Sequence, residues 1–183
     1  MQEDAILQLV LKVQRGGHPS AFNSLVQQHQ SAVRRTLTHL CCGDTQTAED
    51  LAQETFIKAY AQIDTFRKES SFSTWITRIA YRLFYDHMRR QKPTVALEEV
   101  GEIGFYANTQ DLANATQRKV DVNQGLSQLA QPERTAMVLF YIEDKAIEDV
   151  AEIMGMPVGT VKSHLHRGKK KLVDYLRKNG YDG

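Results

Sequence analysis

Three sets of side chains have the types and spacing to meet another molecule. At about 100° per residue, Thr160, Ser163, His166, Arg167, Lys170 and Arg177 fall on one side of a helix, flanked by Lys162 and Lys171. Hydroxyls and cations projecting together from the start of a helix reach base edges and phosphates. A merely solvated basic face is the competing reading. In a second set, Arg78, Arg82, Tyr85 and Arg89 align outside a helix that follows Phe66-Arg67-Lys68-Glu69-Ser70-Ser71, with Trp75 on the border of its inner face. Cations interleaved with aromatics suit single-stranded nucleic acid, because bases stack on rings while phosphates meet arginine. Trp75 and Tyr85 fit a plain core or boundary role equally well. The third set is Asp50, Gln53 and Glu54 around Ile57. Polar residues framing one exposed apolar anchor fit a protein docking patch, and an ordinary solvated acidic face is the alternative.

The elements that must position these sets are helical. Apolar residues recur at helical spacing almost throughout, and no run of strand-like alternation interrupts them, so the expected fold class is all-α. Ile6, Leu9, Val10 and Val13 mark a first helix that stops at Gly16-Gly17 and Pro19. Ser20 is placed to cap a second, which ends near Gly43, and Thr45 or Thr47 a third, running to about Ile63. Ser71 or Ser73 starts a fourth, to about Gln91. In the third helix Ala48, Ala52, Phe56, Ala59 and Ile63 are expected inside; in the fourth, Phe72, Ile76, Ile79, Ala80 and Leu83.

Residues 1 to 92 thus form one helical domain, and 93 to 121 read as an irregular acidic linker. Residues 122 to 183 form a second small domain. In it, Pro132 opens a helix to about Ile142, Glu143-Asp144-Lys145 turns the chain, and Ile147, Val150, Ala151 and Met154 define a short amphipathic helix. Only Gly155-Met156-Pro157 separates it from the last helix, whose buried face is Val161, Leu165, Gly168, Leu172 and Leu176. A tight glycine-containing turn between two such helices is a helix-turn-helix pattern. Gly168 is expected where two backbones approach closely.

Charge distribution sharpens this division. The 183 residues carry 23 basic and 22 acidic side chains, a net of +1, which argues against binding nucleic acid by bulk charge. By segment the balance is +3 for residues 1 to 92, −3 for 93 to 130, −4 for 131 to 157 and +5 for 158 to 183. A basic terminal module follows an acidic one. The acidic start is unlike a secretory signal and no apolar run approaches a membrane span, so a cytoplasmic chain is expected. The two adjacent cysteines, Cys41 and Cys42, read as small residues at a helix end rather than a metal or redox site. His164 and His166 diverge on a helix, and no converging ligand set supports a cofactor, a metal or a hydrolase built on Glu148 and Glu152.

The order of these features resembles the extracytoplasmic-function group of bacterial sigma factors. Ala48-Glu49-Asp50-Leu51-Ala52-Gln53-Glu54-Thr55-Phe56-Ile57-Lys58-Ala59-Tyr60 is similar to the family's polymerase-binding motif, and Phe66-Arg67 with the segment from Ser70 to Ala80 to its promoter-melting segment. Leu129 to Arg134 and Ile147 to Ser163 resemble its second DNA-binding domain. The resemblance implies a non-enzymatic initiation subunit, without cofactor, for a stress or envelope-signal regulon. In it, Asp50, Gln53, Glu54 and Ile57 would dock on the clamp helices of the largest polymerase subunit. Arg67, Lys68, Ser71, Trp75, Arg78 and Arg82 would bind and open the minus-ten element. Thr160, Lys162, Ser163, His166, Arg167 and Lys170 would bind the minus-thirty-five duplex. An anti-sigma factor is an expected partner. His164 stands where family members often carry Arg, and Gly168 where Ala is common. The other reading is a stand-alone helix-turn-helix regulator, which requires neither the Asp50 patch nor the arginine-aromatic helix.

Overall fold

The computed structural model describes residues 2–16, 18–91 and 116–179. The first set of helices is α1 (Gln2–Gly16), α2 (Pro19–Leu40), α3 (Thr45–Ala61) and α4 (Phe72–Gln91), with a single 3-10 turn at Ile63–Thr65. The second is α5 (Thr116–Ser127), α6 (Gln131–Met137), α7 (Ile147–Met154) and α8 (Val158–Lys178). No strand occurs among the described residues. The all-α expectation therefore stands, and α7 and α8 carry the bounds read from periodicity. α5 opens at Thr116, inside the stretch read as linker; the rest of that stretch, 93 to 115, lies outside the described residues.

Local chemistry explains the boundaries. Asp44, not Thr45 or Thr47, caps α3: its carboxylate accepts from the Thr47 backbone N–H at 3.1 Å and the Thr47 hydroxyl at 2.7 Å. Ser71 caps α4, its Oγ accepting from the Thr74 N–H at 3.0 Å. Ser20 does not cap α2, which begins one residue earlier at Pro19, whose fixed φ suits a first turn. Gly155 ends α7 in the left-handed region at φ 63°, where an L side chain is strained. α6 passes directly into one π-helical turn, Val138–Ile142, so the single helix read from Pro132 to Ile142 changes its winding halfway.

Val10, Leu25, Leu37, Leu40, Ile76 and Phe84 form the core of the first domain, and Leu126, Leu139, Val150, Ile153 and Val161 that of the second. The two cores join in one cluster. Cys41 and Cys42 are both buried and free, at the α2 end as expected. Burial pushes the Cys41 thiol up to about 12 and the Cys42 thiol up as well, which keeps them protonated and unreactive. Among the described residues no His, Cys, Asp and Glu group has the arrangement to hold a metal.

Candidate nucleic-acid and protein interfaces

The α3 patch projects as its spacing predicts. Ala48, Ala52 and Ala59 are buried against the other helices, while Asp50, Gln53 and Glu54 are exposed. Ile57 is 69% exposed and Tyr60, a turn further on, 44%. Two large apolar side chains standing free beside carboxylates form a surface suited to a protein partner. Phe56, expected inside, is half-buried.

On α4 the inner face is as expected, but the border residue is settled: Trp75 is 4% exposed. Its ring lies 5.6 Å from Phe66 and 5.4 Å from Phe72, centroid to centroid, in an aromatic cluster. In this conformation Trp75 takes the core role that its border position also allowed, packed against Phe66 and Phe72. Arg67, Lys68, Arg82, Tyr85 and Arg89 are exposed, whereas Ser71 and Arg78 are half-buried.

The second domain reaches Arg78 and the residues around Ser71. The Glu152 carboxylate of α7 accepts from Ser70 Oγ at 2.9 Å and from Arg78 Nη1 at 3.1 Å, and Asp149 accepts from Thr74 Oγ1 at 3.2 Å. Lys145 Nζ donates to Ser73 Oγ at 2.7 Å. Nearby, Arg35 grips Glu143 with two bonds of 2.9 and 2.7 Å, a bidentate pair. Deeper in the joint the Arg134 guanidinium, 4% exposed, donates to the Leu40 carbonyl and to Cys42 Sγ, both at 2.9 Å. It thereby satisfies a carbonyl at the end of α2 from across the interface. The sequence places Arg134 in a motif and Glu143 and Lys145 in a turn but pairs none of them, nor Arg35, with a partner, because partners so far apart in sequence leave no periodic trace. The acids Asp149 and Glu152 stand out in the sequence only as segregated charge.

α8 presents its polar face openly. Thr160, Lys162, Ser163, His166, Arg167 and Lys170 are all exposed, and Val161, Leu165 and Gly168 are buried. A Cβ on Gly168 would stand 2.9 Å from Met137 Cγ, so α6 meets the glycine with side chains rather than with the backbone approach its position suggests. Thus one chain carries an apolar docking patch, a covered arginine and hydroxyl helix, and an open basic helix behind a tight turn. That combination suits a two-domain helical DNA-binding protein.

Comparison with known proteins agrees. The model of Sigma-70 region 2 matches residues 25–94 and that of Sigma-70 region 4 residues 120–172. The chain is 34% identical over 178 residues to the ECF RNA polymerase sigma factor SigW of Bacillus subtilis, covering 91% of this chain and 95% of that one. It is 33% identical over 176 residues to the RNA polymerase sigma-H factor of Pseudomonas aeruginosa, covering 90% of each. Among solved structures it superposes on the sigma factor RpoE in complex with the anti-sigma factor NepR from Bartonella quintana. That match has a TM-score of 0.66 and 28% identity over 85% of this chain and 96% of that one. CnrH in complex with the cytosolic domain of CnrY shares the fold, with a TM-score of 0.73 at 22% identity over 96% of this chain and 99% of that one. The chain belongs to the extracytoplasmic-function group of the sigma-70 family. It is a sigma factor, directing promoter-specific transcription initiation.

Proposed function

We propose that the three surfaces divide the work of initiation, with no chemistry catalysed by the chain itself. Asp50, Gln53, Glu54 and Ile57 dock on the clamp helices of the largest polymerase subunit. Arg67, Lys68, Ser71, Arg78 and Arg82 bind the minus-ten element and help to open it. Thr160, Lys162, Ser163, His166, Arg167 and Lys170 hold the minus-thirty-five duplex. The observation that carries this reading is Ile57, 69% exposed beside Tyr60 at 44% on a helix whose Ala48, Leu51, Ala52 and Ala59 are buried. A regulator binding an operator alone has no need of such an anchor.

Geometry adds an order of events. The docking patch and the α8 face are open while Arg78 is paired with Glu152, so polymerase docking can precede the parting of α4 and α7. About 24 residues join α4 to α5, and a flexible chain of that length has a relaxed span of about 27 Å and a ceiling near 85 Å. Promoter elements two helical turns apart lie about 70 Å from each other. The polymerase therefore fixes the spacing, and tethering makes two weak contacts act as one strong one. The work is cytoplasmic, serves a stress or envelope-signal regulon, and is held in check by an anti-sigma factor of the kind bound to the solved relatives.

The test is transcription from genomic DNA by sigma-free bacterial core polymerase supplied with this chain, with start sites mapped. Discrete starts sharing two upstream elements are expected, and their absence with the cognate core would overturn the reading. Asp50→Ala with Glu54→Ala is expected to abolish core binding and leave the helical signal intact.

A further inference from the structure

Behind the open face of α8 lies a carboxylate that none of the three surfaces uses. Glu133, in α6, has a side chain only 6% exposed. Its Oε2 accepts from the Ala130 backbone N–H at 3.2 Å and from Lys171 Nζ at 2.9 Å. Its Oε1 faces Arg167 Nε at 3.4 Å. The bond to Ala130 is half of a capping box, and alanine has no side chain to complete the other half. A buried acid needs its charge compensated, and here the compensation comes from two cations of the reading helix. The Gly168 contact with Met137 holds α6 and α8 close enough for this.

Arg167 is fixed a second time. Its Nη2 lies 3.0 Å from His164 Nδ1. A guanidinium only donates, so Nδ1 accepts and the neutral ring carries its proton on Nε2. Burial, and then Arg167 itself, hold His164 below the usual histidine range, so the ring stays neutral at physiological pH. With Nε paired to the Glu133 charge at 3.4 Å and one Nη2 hydrogen donated to His164, the guanidinium is held on its inner edge. The Nη1 end stays available on a side chain 54% exposed.

We propose that Glu133 is a positioning residue for Arg167, aiming the guanidinium at the O6 and N7 acceptors of a guanine in the upstream promoter duplex. This rests on the reading of α8 as the minus-thirty-five helix. An unanchored arginine on an exposed helix swings to whichever phosphate is nearest and carries no sequence information. Anchored from behind, it presents two donors in fixed geometry, the arrangement that distinguishes guanine from other bases. Glu133 thus converts one general cation into a base reader.

The experiment uses full chain with cognate core polymerase on a promoter fragment from the start-site mapping. The probes are that fragment and copies in which each upstream guanine is replaced in turn. The unsubstituted chain is expected to lose about tenfold in affinity at one guanine. Glu133→Gln keeps an acceptor for Ala130 and removes the charge. It is expected to erase that preference and leave the salt dependence, which counts phosphate contacts, unchanged. Arg167→Lys keeps the charge without the fork; it should erase the same preference, and combining it with Glu133→Gln should add no further loss. A purely structural Glu133 would instead weaken intact and substituted fragments alike and add to Arg167→Lys, and that result would overturn the proposal. If Glu133→Gln does not fold, Arg167→Lys decides: retained guanine preference refutes it. Absence of discrete starts for the unsubstituted chain would remove the reading of α8, and the proposal with it.

Discussion

α4 and α8 carry the same kinds of side chain, arginines and hydroxyls on an exposed helical face, and the fold treats them oppositely. On α4, Thr74 and Arg78 are met from outside by Asp149 and Glu152 of α7, with Ser70 of the preceding loop also bound to Glu152. On α8, Glu133 meets Arg167 and Lys171 from behind and leaves their outer sides free. On the proposed reading, an acid in front would compete with DNA, whereas an acid behind would arrange the cation for it. Composition therefore states what a helix is able to bind, and the placement of counter-charges states when.

The largest effect on this contrast is expected at the joint that holds the cover down. Arg134→Met leaves the Leu40 carbonyl without its partner inside the interface, a loss of about 2 kcal/mol in unfolding free energy by urea titration. If the joint parts, Cys42, whose Sγ accepts from Arg134, becomes accessible, an effect that must outweigh the loss of the Arg134 charge that lowers its pKa. A disulfide reagent should then label the variant faster than the parent, in which burial holds both thiols protonated. Unchanged labelling would mean that Arg134 does not hold the domains together.

Much of this arrangement is visible in the sequence, and what is not has physical causes. The bounds of α7 and α8 follow from apolar spacing and Gly155, and Ile57 betrays itself as an apolar residue on a polar face. Such features are local, and local periodicity records them. Trp75 is ambiguous because it lies on the border of two faces, and only Phe66 and Phe72 arriving from either side decide it. The Arg78–Glu152 pair is invisible, since nothing near either residue specifies the other. Glu133 is disguised as a capping residue, and its second role appears only when α8 is laid against α6.

A smaller effect follows from removing the cover itself. Asp149→Ala with Glu152→Ala deletes the acceptors for Ser70, Thr74 and Arg78 while keeping good helix formers in α7. The deleted pair is partly solvated, with side-chain exposures of 31% for Arg78 and 35% for Glu152, so each contact contributes about 0.5 to 1 kcal/mol. Together they should raise the affinity of the free chain for a single-stranded oligonucleotide by about tenfold, measured by fluorescence anisotropy at low salt. Binding of random-sequence duplex through α8 should change much less. An equal rise for both probes would show that α7 repels DNA at long range and does not cover α4.

The smallest effect is a pH dependence at the rim of the same joint. His29 of α2 has a buried Nε2 without a protein partner and a ring 5.1 Å from Phe72. Burial, and then the charge of Lys145, hold it below the usual histidine range. Lys145 is lowered by burial in turn, against the pull of Asp149 and Glu143. Because the folded value for His29 lies below that of the unfolded chain, the unfolded state binds the proton more readily between the two. The stability His29 contributes is therefore complete above about pH 6.5 and is lost as pH falls through the lowered folded value. Protonation there adds a second cation beside Lys145, opposing the Lys145–Ser73 contact that helps to hold α7 over α4. Urea midpoints should fall between pH 7.5 and 5.5 for the parent and fall less for His29→Gln, which cannot take up that proton. Equal slopes for the two chains would assign the acid sensitivity to carboxylates elsewhere and detach His29 from the joint.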